Sequence, residues 1–166
     1  MVKRWSVVLI LAVSFWNGRG GTPAYTAGDV FERASLRGLN TVQVVVEDLA
    51  LDVTQDGLNR ERIKVAVEQQ LQRAGIGVEQ QADTALYIHL GTVKNSAGLY
   101  SYGLSLQLQQ LVLLFRDPSL VTWGTTWSLD QVGSIAPANI EEVESLIARG
   151  VNAFIEDYQM VNPTAG

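Results

Sequence analysis

Along Val121–Leu129 (VTWGTTWSL), alternate residues fall into two unlike sets. Val121, Trp123, Thr125, Trp127 and Leu129 form one; Thr122, Gly124, Thr126 and Ser128 form the other. A period of two predicts a β-strand with one apolar and one polar face. The same rhythm predicts a strand over Thr41–Leu49, where Val42, Val44 and Val46 oppose Gln43, Val45 and Glu47. Another runs over Thr84–Val93, with Leu86, Ile88 and Leu90 opposing Tyr87 and His89. A long strand follows from about Leu99 to Arg116, led by Leu104, Leu106 and Leu108 against Ser105, Gln107 and Gln109. Beyond Gln110 the apolar positions shift to Leu111 and Leu113. A β-bulge near Gln109 and Gln110, or a tail covered on both faces, accounts for the shift.

Two segments repeat instead with helical spacing. In 58–76, Ile63, Ala66, Val67, Leu71 and Ala74 share one face, while Arg60, Lys64, Glu68, Gln69 and Gln72 lie away from it. Asn59 suits the N-cap, Leu58 and Ile63 a hydrophobic staple, and Gly75–Ile76 a glycine C-terminal stop. In 137–161, Val143, Leu146, Ile147, Val151, Phe154 and Tyr158 make a second apolar face. Asn139 and Glu142 have capping-box spacing, and Gly150 suggests close packing. Asn95–Gly98 and 116–119 (RDPS) read as turns. The segment 25–38 is mixed, with a short helix expected from DVFERASLRG, and the terminal NPTAG reads as a frayed tail.

The order is therefore β-α-β-β-β-α. The economical packing is an α+β fold: an antiparallel four-stranded sheet with two amphipathic helices packed on one face. The three strands from Thr84 to Leu129 form a meander. Trp123 and Trp127, in phase with Val121 and Leu129, are expected beneath the helices. The opposite face collects Tyr87, His89, Ser105, Gln107, Gln109, Thr122, Thr126 and Ser128, a polar and nearly uncharged surface with one aromatic anchor. It is the candidate ligand- or partner-binding surface.

The first residues change the picture most. Lys3 and Arg4 precede an apolar run from Trp5 to Trp16, and Thr22 and Ala24 have signal-peptidase spacing. The run is short for a membrane span. Residues 1–24 are thus expected to be a secretory signal peptide, 25–38 an N-terminal lead-in segment and 39–162 a single domain. A periplasmic or secreted address follows, with no integral membrane span after cleavage.

The 166-residue chain has no cysteine, which excludes lipid-modified anchoring, disulfides, thiolate nucleophiles and cysteine metal sites. It carries 12 basic and 17 acidic residues, a net charge of −5. Cleavage removes Lys3, Arg4 and Arg19 and no acid, taking the charge to about −8. Such a surface repels nucleic acid and anionic headgroups.

Chemistry-bearing signals are sparse. His89 is the sole histidine, so a multi-histidine metal site is excluded. A Ser-His-acid arrangement would have to use it, and no G-x-S-x-G elbow is present. Glu47, Asp48, Asp52 and Asp56 cluster in one loop. Asp52, Thr54, Asp56 and Gly57 echo the start of a calcium loop, but its bidentate glutamate would fall at Ile63. No catalytic residues, metal ligands or cofactor are assigned.

The segments LRGLNTVQVVVEDL, ERIKVAVEQQLQRAGI, LYIHL, GLYSYGLSLQLQQ and TWS resemble an uncharacterised family of small exported bacterial proteins with β-α-β-β-β-α order. The resemblance spans nearly all of the mature chain and implies fold and export rather than activity. Many such envelope proteins are lipoproteins, a feature this cysteine-free chain does not share. The expectation is an exported, non-catalytic cell-envelope binding or scaffolding module, with another envelope protein as partner. The alternative is a small-ligand or divalent-cation module using the polar face or the acidic loop.

Overall fold

A computed structural model describes residues 29–163. The predicted signal peptide and the end of the NPTAG tail lie outside them. The described elements are α1 (Val30–Ala34), β1 (Thr41–Val46), α2 (Leu51–Gln55), α3 (Arg60–Arg73), β2 (Gly77–Val78), β3 (Thr84–Lys94), β4 (Tyr100–Leu114), β5 (Asp117–Ile135) and α4 (Glu142–Val161).

The sheet has five strands in the order β2-β1-β3-β4-β5, not four, and it is mixed rather than antiparallel. β3, β4 and β5 form the expected antiparallel meander. β1, however, pairs parallel with β3, Val44 opposite Leu86, and parallel with the short β2. The reason lies in the connections. Tight turns reverse the chain within the meander, whereas α3 carries it back over the sheet before β2 and β3, a crossover that returns strands in the same direction.

Even-numbered residues of β1, β3 and β4 meet the helices: Val42, Val44, Val46, Leu86, Ile88, Leu104, Leu106 and Leu108 are all buried. α3 contributes Ile63, Val67 and Leu71. Ala66, expected on this face, is exposed, because an i, i+4 stripe suffices for the contact. The ends of α3 follow the predicted signals. Asn59 accepts from the Arg62 amide at 2.9 Å. At the other end the Gly75 amide donates to Gln72 and the Ile76 amide to Leu71, both at 3.0 Å, with Gly75 at φ +83°. α4 lies beside α3, held by Gln70 Nε2 donating to the Ala148 carbonyl at 2.9 Å and by Arg62 with Glu144. Gly150 is where α4 touches the sheet: a Cβ there would stand 2.9 Å from a methyl of buried Leu106.

Three local expectations are corrected. α4 begins at Glu142 after a 3-10 turn over Pro137–Asn139, and Asn139 caps nothing. Instead Asp29 and Glu32 form a complete capping box on α1. Asn162 is not frayed: its amide nitrogen donates to the Leu36 and Tyr158 carbonyls, at 2.8 and 3.0 Å, and its oxygen accepts from the Gly38 amide at 2.7 Å. This bracket fixes the end of α4 to the loop before β1 and brings Leu36 into the core without exposed surface.

Candidate functional site

The helices occupy one face of the sheet. α3 and α4 bury their apolar residues there, and the other face is called the open face below; α1 reaches its β5 margin, where Glu32 meets Ser128. Its composition follows from the cross-strand register. One row reads Val45, Tyr87, Gln107, Ser128; a second Gln43, Ala85, Gln109, Thr125; a third His89, Ser105, Asp130. Tyr87, His89, Ser105, Gln107, Gln109 and Ser128 are thus brought together as expected.

Thr122 and Thr126 are not among them. Between Leu108 and Gln109 the register with β5 slips: Leu108 faces Trp127, while Gln109 faces Thr125. Thr126 is the extra residue. A bulge is present, but β5 carries it, and β4 keeps an unbroken alternation. Val121 to Thr125, between this slip and a second one at Leu113/Leu114, are therefore displaced to the face opposite the one their parity predicts. Thr122 pairs with Val112 on the helix side, and Thr126 accepts there from Gln110 Nε2 at 2.7 Å. Thr125 takes their place on the open face.

The same slip separates the two tryptophans. Trp127 is buried at 1% exposure, edge-on to Phe154 with ring centroids 5.0 Å apart, and its Nε1 donates to buried Asp157 at 2.9 Å. Trp123 pairs with Leu111 on the open face and is 54% exposed. The expectation that both lie beneath the helices thus fails for Trp123. Leu111, Leu113 and Val121, likewise exposed, extend this apolar patch toward the hairpin tip.

Side-chain amides and hydroxyls link the polar part into a ladder. Gln107 Nε2 donates to Ser105 Oγ at 3.1 Å, Gln109 Nε2 to Gln107 Oε1 at 3.4 Å, and Thr125 Oγ1 to the same oxygen at 3.3 Å. The margins are more acidic than expected. Glu47 contacts His89 Nδ1, Asp130 closes the third row, and Ser128 Oγ donates to Glu32 Oε1 at 3.1 Å. Alternation pointed to Glu47, but the pairing of β1 beside β3 is what brings it to His89.

Glu47, just past the end of β1, thus lies beside His89 of β3, with Ser105 of β4 opposite that histidine. Ser105 Oγ is engaged by Gln107, and the ring's Nε2 lies toward Gly91, 3.4 Å from where a Cβ on that glycine would stand. The remaining acids of the loop go separate ways. Asp48 pairs with Arg60 at 3.0 Å, Asp52 accepts from the Val53 amide at 2.9 Å, and Asp56 accepts from the Tyr100 hydroxyl at 2.6 Å. Among the described residues no group of three or more His, Cys, Asp or Glu is placed to hold a metal ion. No described helix is long and apolar enough to cross a membrane.

No protein-family model matches the chain, and no curated protein matches it. Among solved structures, the chain is similar to a substituted PelC dodecamer from Paraburkholderia phytofirmans. The identity is 14%, with 77% of this chain and 92% of that chain covered and a TM-score of 0.40. It is also similar to a minor lipoprotein from Acinetobacter baumannii, at 11% identity, with 76% of this chain and 93% of that chain covered and a TM-score of 0.30.

Proposed function

We propose that this chain is an exported, non-catalytic envelope protein that binds or scaffolds another envelope protein through the open face of its sheet. The observation that carries the reading is the composition of that face. Tyr87 stands in the central row beside a ladder of uncharged amides and hydroxyls, and Trp123 with Leu111 lies on the same side. A half-buried tyrosine and an exposed tryptophan beside neutral hydrogen-bonding groups suit a protein partner's polar backbone and apolar side chains. An ordinary solvated sheet face carries more lysine and glutamate. Export is supported by the basic, apolar and small-residue succession over 1–24.

The test is site-specific photo-cross-linking in the native host. A cross-linker at Gln109, next to Gln107 on the open face, should capture an envelope protein that one at Ala66, exposed on α3, does not. Tyr87→Ala and Gln107→Lys should each reduce the adduct while leaving the circular dichroism spectrum unchanged. Equal capture from both positions, or variants that bind like the parent, would overturn the reading.

A further inference from the structure

The far end of the β4–β5 hairpin is apolar without a core to cover. Phe115 at its apex is fully exposed, and Leu113, Leu120 and Val121 are 65%, 47% and 59% exposed. Arg116 and Asp117 are its charges, and Asp117 is held as a carboxylate by the Ser119 hydroxyl and amide, at 2.7 and 3.1 Å. A tip that is apolar around its apex and carries one fixed anion needs an apolar recess with cations at its rim.

Such a recess exists on the same molecule. Between α1 and the end of α4 lies a groove of about 280 Å³ with Val30, Ala34, Met160 and Val161 in its walls and Arg33 and Arg37 beside them. Met160 is 63% exposed there. Neither arginine forms an ion pair among the described residues; Arg33 reaches only the Met160 sulfur, at 3.6 Å. The tip does not fill its own groove, because Phe115 is fully solvent-exposed.

We propose that the hairpin tip of one copy docks into the α1–α4 groove of a second copy, Phe115 and Leu113 entering the apolar walls and Asp117 meeting Arg33 and Arg37. Charge complementarity selects this occupant over a lipid surface, since the chain is acidic overall and anionic headgroups would repel it. The contact joins two different surfaces, so each copy offers one tip and one groove, and association continues into a closed ring or an open chain. It adjoins the partner surface proposed above, which uses Tyr87, Gln107, Trp123 and Leu111, but Phe115, Asp117 and the groove lie outside that surface.

The test is sedimentation velocity of the exported chain over a range of concentrations. The parent should assemble beyond a dimer. Phe115→Glu, which disables the tip, and Met160→Glu, which disables the groove, should each weaken assembly by about tenfold or more. Mixed in equal amounts, these two variants should form a dimer and nothing larger, because one intact tip meets one intact groove. Asp117→Lys should also weaken assembly, and Arg33→Glu with Arg37→Glu in the other copy should restore it. Arg116→Ala and Gln107→Lys should leave it unchanged. A monomeric parent, a mixture that stays monomeric, or flotation of the parent with neutral phosphatidylcholine vesicles in place of self-association would overturn the proposal.

Discussion

Trp127 Nε1 donates to the carboxylate of Asp157 at 2.9 Å across the interface between β5 and α4, with both residues almost wholly removed from solvent. The indole needs an acceptor once buried, and the carboxylate needs donors. The pair therefore fixes where the last helix sits along the sheet. Trp127→Ala should destabilise the protein by about 3–5 kcal/mol, the range for emptying a large aromatic site in a core. Trp127→Phe keeps most of the volume but takes a donor from Asp157, and should cost about 1–3 kcal/mol. Trp123→Ala should cost less than about 1 kcal/mol. Urea denaturation of the three variants checks the order.

The two asparagines that precede helical segments should behave differently. Asn59→Ala removes the acceptor for the Arg62 amide and should cost about 0.5–2 kcal/mol. Asn139→Ala touches a residue whose side chain caps no helix and should change stability by less than about 0.5 kcal/mol. Thermal melts of both would expose a wrong assignment of either helix start.

Tyr100 gives the fold an alkaline limit. Its hydroxyl donates to Asp56 at 2.6 Å, its side chain has no exposed surface, and the Lys94 ammonium sits 4.9 Å from its ring centroid. The hydrogen bond to Asp56, then burial, hold the phenol's pKa above its ordinary value, and the hydrogen bond with Tyr100 raises that of Lys94. A raised folded-state pKa favours the protonated form. The stability it adds is present in full below the ordinary tyrosine value near 10 and is lost as pH rises through the folded value. Parent protein should lose stability above about pH 10 more steeply than Tyr100→Phe, and phenolate absorbance should show one tyrosine titrating last.

The proposed export sets a further expectation. Protein recovered from its natural host should begin near Tyr25, and Edman sequencing reads this directly. An intact Met1 on membrane-bound protein would contradict the signal-peptide assignment.

Much of this architecture is legible in local pattern. Val42, Val44 and Val46 announce a strand because one pleated face must be apolar, and Asn59, Gly75 and Ile76 mark both ends of α3 because capping is local chemistry. The box at Asp29 and Glu32 is a D-x-x-E spacing of the same local kind, ahead of the short α1. The polar residues of β3 and β4 were placed correctly on one face for the same reason: their alternation runs without interruption into the core.

What only the tertiary structure decided depends on how strands meet. The parallel pairing of β1 with β3 arises from the crossover through α3, which no strand records in its own residues. The bulge at Thr126 is the sharper case. In sequence Trp123 and Trp127 share a parity, and a shift in apolar phase could be assigned to either strand of the pair. Register with β4 puts the extra residue in β5, so a single position sends Trp127 into the core and turns Trp123, with Thr125, onto the open face. Periodicity determined that these residues form a strand. Which way its first half faces was fixed by hydrogen bonding to a neighbour, a property of the pair that neither segment holds alone.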